Sequence, residues 1–421
     1  MSRSALAIGP DLSFAKTETR GRSLVFLTVL AAFLVWGGCR VLSWDRAFPD
    51  FICYWSAGKI VAAGASPYDV DWQTRIQHEY GWDKATDGFG VYDFLPFYYP
   101  PWFAWFWVVF LPLGYTGAKI AWFFVNVELT LLTGHLLTQT VRGVPRWLPL
   151  WLVPCFLFSL TAVLLAQTTT LVFFLMVLTW YLLEQRQDRA AGVALAWLTL
   201  KPQLTAVLLL GLLLWLIRQR RWAVLGAFGL TLSVLCLIST LLEPSWLFQM
   251  LQAPRVTPSP TEHYPWIGNT WFLLLRTVGL QGWGLNVLYL AIALPTVLAI
   301  VVMGWRPGYP LSRLFAAGTL AAFFVAPYAR HYDFPILLIP LLVLVDGRLA
   351  KPAGVALLVG LLAIPYGQVV FLGQLRDASD PSGKFLFEAT YFWVPLLLAV
   401  VCCLAASPRR ARGPRSPGAR G

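Results

Sequence analysis

Charge is what this chain has least of. Asp, Glu, Lys and Arg make up 12% of its 421 residues, half of the ~25% usual in a soluble globular domain. So few charges cannot keep a surface of this size in water, and a wholly soluble enzyme is excluded. Histidine is scarcer still, with four residues, and cysteine numbers six. Cys39, Cys53, Cys155, Cys236, Cys402 and Cys403 mostly lie inside apolar runs. No pair has metal-ligand spacing and no disulfide framework is visible, so they read as small buried hydrophobes. A Gly-rich nucleotide loop, a defensible internal repeat and a soluble domain are absent as well.

What the chain has in excess is apolar sequence, at 58% hydrophobic residues. Candidate spans run over 24–43, 101–115, 118–139, 147–165, 167–184, 189–200, 203–217, 222–242, 284–304, 314–327, 334–346, 353–373 and 391–405. A full crossing takes ~20 apolar residues, and shorter segments are tolerated where the backbone is buried in protein. Residues 270–280 read as a further partial crossing. Many of the 21 Trp and 15 Tyr sit at span ends, where amphipathic rings settle at the headgroup level. The fold class is therefore all-α: a polytopic transmembrane protein with roughly 11–13 spanning or partly spanning helices. The net charge of +12 is scattered over short loops and the Arg409–Arg420 tail. That is the positive-inside pattern, and it argues against a nucleic-acid partner.

Three regions follow: a cytoplasmic N-terminal segment 1–22, a transmembrane domain 23–406, and a basic tail 407–421 expected to be disordered. The first apolar run has no small-x-small cleavage site after it and reads as an uncleaved helix. Basic loops at Arg186–Arg189, Arg218–Arg221, Arg306–Arg313 and Arg348–Lys351 orient the set toward the cytoplasm. The loops 45–97, 243–270, 328–333 and 374–390 then lie outside. Thirteen spans are odd in number, whereas both termini read as cytoplasmic; one segment in 97–200 or 270–285 must be re-entrant or miscounted as a span. Ala57–Gly64 reads as a short interfacial helix, and the five prolines of 243–270 argue against regular helix there.

Polar residues that interrupt this apolar background are the candidates for chemistry. Asp50 lies among aromatics just past the first helix, where partial desolvation suits a general base and a helix cap or an interfacial charge is the plainer alternative. Arg330, His331 and Asp333 form a polar island between two spans. They could hold a phosphate, move a proton, or simply make a solvated hairpin. Lys201-Pro202-Gln203 breaks an apolar stretch, so Lys201 either snorkels to the interface or meets an anionic group. Phe97-Tyr98-Tyr99-Pro100-Pro101 offers rings for a sugar or isoprenoid wall, or for an aromatic belt. Ala166-Gln167-Thr168-Thr169 reads as a turn or cavity lining. His78, His135 and His263 stand alone.

In order along the chain, these stretches resemble family 87 of the glycosyltransferases, within the GT-C superfamily. The resemblance is carried by Asp50-Phe51 with Tyr54; Gly64 to Pro67-Tyr68; Phe97-x-Tyr99-Pro100-Pro101 before Leu111-Pro112-Leu113; the Gln167 turn; Lys201-Pro202 before Arg218–Trp222; and His331-Tyr332 before a Pro-containing helix. There are two departures. Ala166-Gln167-Thr168-Thr169 stands where the family often has Gly-Gln followed by a polar residue and Asn, and Arg330 precedes the late histidine where the family often has Trp or a second His. The resemblance implies a hexosyltransferase that takes a sugar, typically mannose, from a polyprenyl phosphate at the extracytoplasmic face and passes it to a glycolipid or glycan acceptor with inversion. It implies Asp50 as base, Arg330, His331 and Lys201 at the donor phosphate, and Tyr54, Tyr99 and Gln167 in the substrate pocket. The setting would be a bacterial plasma membrane. No cofactor is called for, since fixed cations can take the leaving group's charge; a divalent metal stays open. A transporter or flippase and a non-catalytic lipid-binding protein are the alternatives from other classes.

Overall fold

A computed structural model describes residues 50–83, 93–256, 268–346, 351–374 and 388–406. The expected first helix at 24–43, the Arg-rich tail, Asp45, Asp87, Pro258, Pro260, Pro265, His263 and Arg348 lie outside the described residues. Among the described residues every regular element is helical.

Outside the bundle proper come α1 (Phe51–Ala62), α2 (Val70–Glu79) and α3 (Pro101–Val108). Asp69 starts α2 by accepting a hydrogen bond from Trp72 N at 3.0 Å, and Pro101 starts α3 at a position where its missing N–H costs nothing. The bundle continues through α4 (Gly114–Thr140), α5 (Trp147–Cys155), α6 (Leu157–Leu164), α7 (Thr169–Glu184), α8 (Asp188–Trp197), α9 (Pro202–Arg218) and α10 (Trp222–Leu242). It is completed by α11 (Trp246–Val256), α12 (Trp271–Thr277), α13 (Gly282–Trp305), α14 (Leu311–Val325), α15 (Leu338–Val345), α16 (Pro352–Gln374) and α17 (Trp393–Ala406). A 3₁₀ segment, His331–Leu337, leads into α15.

Among the described residues, four helices are long and apolar enough to cross a membrane: Leu111–Thr140 (α4 with the turn before it), Trp222–Leu242, Gly282–Trp305 and Pro352–Val370. The pair α5–α6, bent by 53° at Phe156, makes a fifth if taken as one span. Shorter apolar helices fill the space between them. Helices α10 and α13 leave most of their apolar surface uncovered by protein, as lipid-facing helices do. The chain is thus an all-α, polytopic integral membrane protein.

Three sequence expectations change. Helix α1 does not lie on an interface: Phe51, Ala57 and Ile60 are fully buried, and a Cβ on Gly58 would meet Trp107 Cβ at 2.8 Å. The helix is packed directly onto α3, with Tyr54 stacked on Trp107 at 5.2 Å. Residues 246–256 do form a helix, because Pro254 falls near its C-terminal end and disturbs little upstream hydrogen bonding. Finally, 101–115 is no crossing. Its helix has eight residues, about 12 Å at 1.5 Å per residue, and α4 begins at Gly114.

The helix ends sort into two sets. At one end Arg221 pairs with Asp188 and donates to Leu183 O at 2.9 Å, while Arg142 lies 3.6 Å from Glu184. This ties the basic corners together. Thr169, Lys201 and the 326–337 corner stand at the opposite ends of α7, α9 and α14. The polar residues singled out from sequence therefore share one end of the bundle.

Candidate active site

The site is built where several chain turns meet at one end of the bundle. The first is the α6–α7 turn. Ala166 adopts φ +57°, a left-handed conformation that costs a side-chain-bearing residue energy. The turn is pinned from α4: Trp122 Nε1 donates to Ala166 O at 3.0 Å, and Asn126 accepts from Thr170 Oγ1. This fixes Gln167, 2% exposed, so that its amide Nε2 donates to Asp50 Oδ2.

Asp50 sits at the start of α1 but makes no side-chain cap there, so the cap alternative does not hold. Its surface is partly open, yet the surrounding protein desolvates the carboxyl. Burial pushes its pKa up from 3.8 to about 6; the nearby charges of Arg330 and Lys201 hold it back, and that of Asp333 adds to the rise. A carboxylate in this range is ionised at neutral pH and basic enough to accept a proton in a transition state.

A row of hydroxyls borders this carboxylate. Thr168 Oγ1 donates to Tyr99 OH at 3.2 Å, and Tyr99 OH lies 3.2 Å from Tyr54 OH. The two rings meet edge to face at 5.5 Å, and Tyr68 OH holds the Tyr99 carbonyl at 2.7 Å. Both are parts of a continuous aromatic core that runs through Phe103, Trp107 and Trp122.

Lys201 does not snorkel. It is 4% exposed, and its Nζ donates to Asp333 Oδ1 at 2.5 Å and to Thr169 Oγ1 at 2.9 Å. Thr169 in turn donates to the same Asp333 oxygen. The other Asp333 oxygen accepts from Arg330 N at 3.0 Å, closing the start of the 3₁₀ segment. Arg330 turns the opposite way and grips Glu388 with two bonds, Nε to Oε1 at 2.7 Å and Nη2 to Oε2 at 2.6 Å. Lys201 and Arg330 both lie against the Tyr332 ring, at 5.3 and 5.2 Å from its centroid. His331 packs on Phe158 and Tyr391 and brings Nδ1 to 3.1 Å from Glu388 Oε1 without completing a hydrogen bond. Burial pushes the Glu388 carboxyl up, but Arg330 and His331 more than offset this and hold it well below the usual carboxylate range.

The polar island is thus no solvated hairpin, and the expected residues come together. Asp50 with Gln167, Tyr54 with Tyr99, and Lys201 with Arg330 around Tyr332 form one connected region. Sequence reasoning missed that carboxylates hold the cations, Asp333 with Lys201 and Glu388 with Arg330. Asp333 was visible only as a member of the island. Glu388 gave no signal beyond being a lone acid before the last apolar span.

An all-helical, membrane-embedded bundle with a desolvated acid and two buried, carboxylate-held cations at one end defines the class: an integral membrane protein with a polar site at one end of its helices. The model of glycosyltransferase family 87 matches residues 97–327, more than half of the chain, which therefore belongs to that family and is a membrane glycosyltransferase. The matched region holds Tyr99, Gln167 and Lys201; Asp50, Arg330, His331 and Glu388 lie outside it. No curated protein and no solved structure matches the chain.

Proposed function

We propose that the chain transfers a hexose, mannose first among the candidates, from a polyprenyl-phosphate donor to a glycolipid or glycan acceptor, with inversion. Transfer takes place at the extracytoplasmic face of a bacterial plasma membrane. The observation that carries this reading is the meeting of Asp50, Lys201 and Arg330 at the end of the bundle opposite the basic corners.

The chemistry follows from the groups present. The acceptor hydroxyl oxygen attacks the anomeric carbon from the face opposite the phosphate. Asp50 takes the hydroxyl proton as the new C–O bond forms. The bond from the anomeric carbon to the phosphate oxygen breaks, and polyprenyl phosphate leaves with its electrons. Arg330, Lys201 and His331 stabilise the charge that develops on that oxygen. Gln167 occupies one oxygen of Asp50 and so directs the other toward the acceptor. Tyr54 and Tyr99 supply ring faces and hydroxyls beside the sugar.

Purified protein in lipid, given polyprenyl-phosphate mannose and a membrane glycolipid extract, should form a mannosylated lipid of inverted anomeric configuration. Transfer from a nucleotide sugar, with none from polyprenyl-phosphate sugars, would overturn the reading.

A further inference from the structure

Arg330 cannot be understood alone. Its guanidinium is bound along one edge by Glu388, a carboxylate 58 residues further on, through two bonds of 2.7 and 2.6 Å. The pair is buried, with 16% of the Arg330 and 6% of the Glu388 side chain exposed. Glu388 is itself held from behind. Asn269, fully buried, donates Nδ2 to the Glu388 carbonyl at 2.7 Å, and its own backbone N–H donates to Ala329 O at 2.7 Å. One residue therefore couples the segment carrying Glu388, through its side chain, to the corner carrying Arg330, through its backbone. A bidentate carboxylate fixes the plane of a guanidinium as well as its position, and here that plane lies against Tyr332.

We infer that Glu388 is a positioning residue: it orients Arg330, and with it the cationic side of the site, toward the phosphate of a lipid-linked substrate. This rests on the phosphate-binding role given to Arg330 above. The alternative, that Glu388 merely fills the phosphate position until substrate arrives, is disfavoured because Glu388 is buried and anchored through its own backbone.

The test is binding of polyprenyl monophosphate to the full chain in detergent micelles, with the phosphate-free polyprenol as reference. The wild-type chain should prefer the phosphate lipid. Glu388→Gln keeps the side chain's shape but loses the charge-assisted fork, and should weaken phosphate-lipid binding about 10-fold while leaving polyprenol unchanged. Arg330→Ala should weaken it at least as much. The double variant Arg330→Ala/Glu388→Ala leaves no lone buried charge and is the variant best placed to fold. If Glu388 acts through Arg330, the double variant binds within about twofold of Arg330→Ala. Additive losses, unchanged binding in Glu388→Gln, or tighter binding there would each overturn the inference. A wild-type chain with no preference for the phosphate lipid would overturn it together with the donor assignment. An active Asp50→Asn variant would remove only the base, leaving this binding result intact.

Discussion

Asp50 is the base in the proposed reaction. Asp50→Asn keeps the size of the side chain and removes the base, so transfer should fall by ~100- to 10,000-fold with donor binding retained. Asp69 is a suitable control because its carboxylate caps α2 instead; a full loss in both variants, or in neither, would count against the assignment. The pH dependence follows from the same carboxyl. The base is needed ionised, so kcat/KM should rise with pH up to about 6 and level off above it. Absence of an acidic limb in that region would show that another group sets the rate. The linkage to stability has the opposite sense. The folded-state pKa lies above the unfolded value of 3.8, so the folded chain binds more protons between 3.8 and about 6, and stability falls with rising pH across that window. Asp50→Asn should accordingly be no less stable than wild type at neutral pH. Thermal unfolding followed in detergent checks this.

At the scale of elements, two backbone features place the acid and its partner. Helix α1 can press onto α3 because residue 58 is glycine; a methyl there would stand 2.8 Å from Trp107 Cβ. Gly58→Ala should cost about 1–3 kcal/mol of stability by overpacking and should lower activity further by tilting the helix that begins at Phe51. Unchanged unfolding temperature and activity would mean that the α1–α3 contact yields easily. The α6–α7 turn presents the reverse case. Ala166 occupies a left-handed conformation, which glycine adopts without steric cost. Relief of that strain, less the extra freedom glycine gains in the unfolded chain, should make Ala166→Gly more stable by up to about 1 kcal/mol. Activity should be preserved, since Gln167 keeps its place. Alanine at this left-handed position is therefore a small local burden.

The whole molecule is organised by the opposition of its two ends. Arg142, Glu184, Asp188 and Arg221 pair at one, and Asp50, Lys201 and Arg330 gather at the other. Single cysteines introduced at Asp93 and Tyr328 should react with an impermeant thiol reagent from the extracytoplasmic side. Cysteines at Gln187 and Gln219 should react only after the membrane is opened. Labelling in the reverse sense would invert the topology and remove a donor presented from outside. The described cysteines include exposed ones, Cys155 and Cys403, so these would be replaced by serine beforehand.

Much of this was legible in the chain itself. Low charge, long apolar runs and basic short loops determine an all-α membrane protein, because water and hydrocarbon impose that pattern on any sequence. Asp50, Gln167, Lys201 and Arg330 each stood out as polar residues interrupting apolar sequence. What they interrupt did not reveal what they touch. Asp50 meets Gln167 across 117 residues, Lys201 meets Asp333 across 132, and Arg330 meets Glu388 across 58. Such contacts depend on how helices pack, and helix packing is set by side-chain shape along whole faces rather than by local pattern. For the same reason the surplus apolar segment, 101–115, looked like a crossing by hydropathy. Only packing of Pro101–Val108 against Phe51–Ala62 decided that it stays within the protein, beneath the acid. The sequence thus determined the solvent, the helical class and the polar candidates. Tertiary structure decided that the Gln167 amide meets Asp50 and that Asp333 and Glu388 hold the cations in place, because burial makes each unpaired charge costly and only the folded packing supplies its partner.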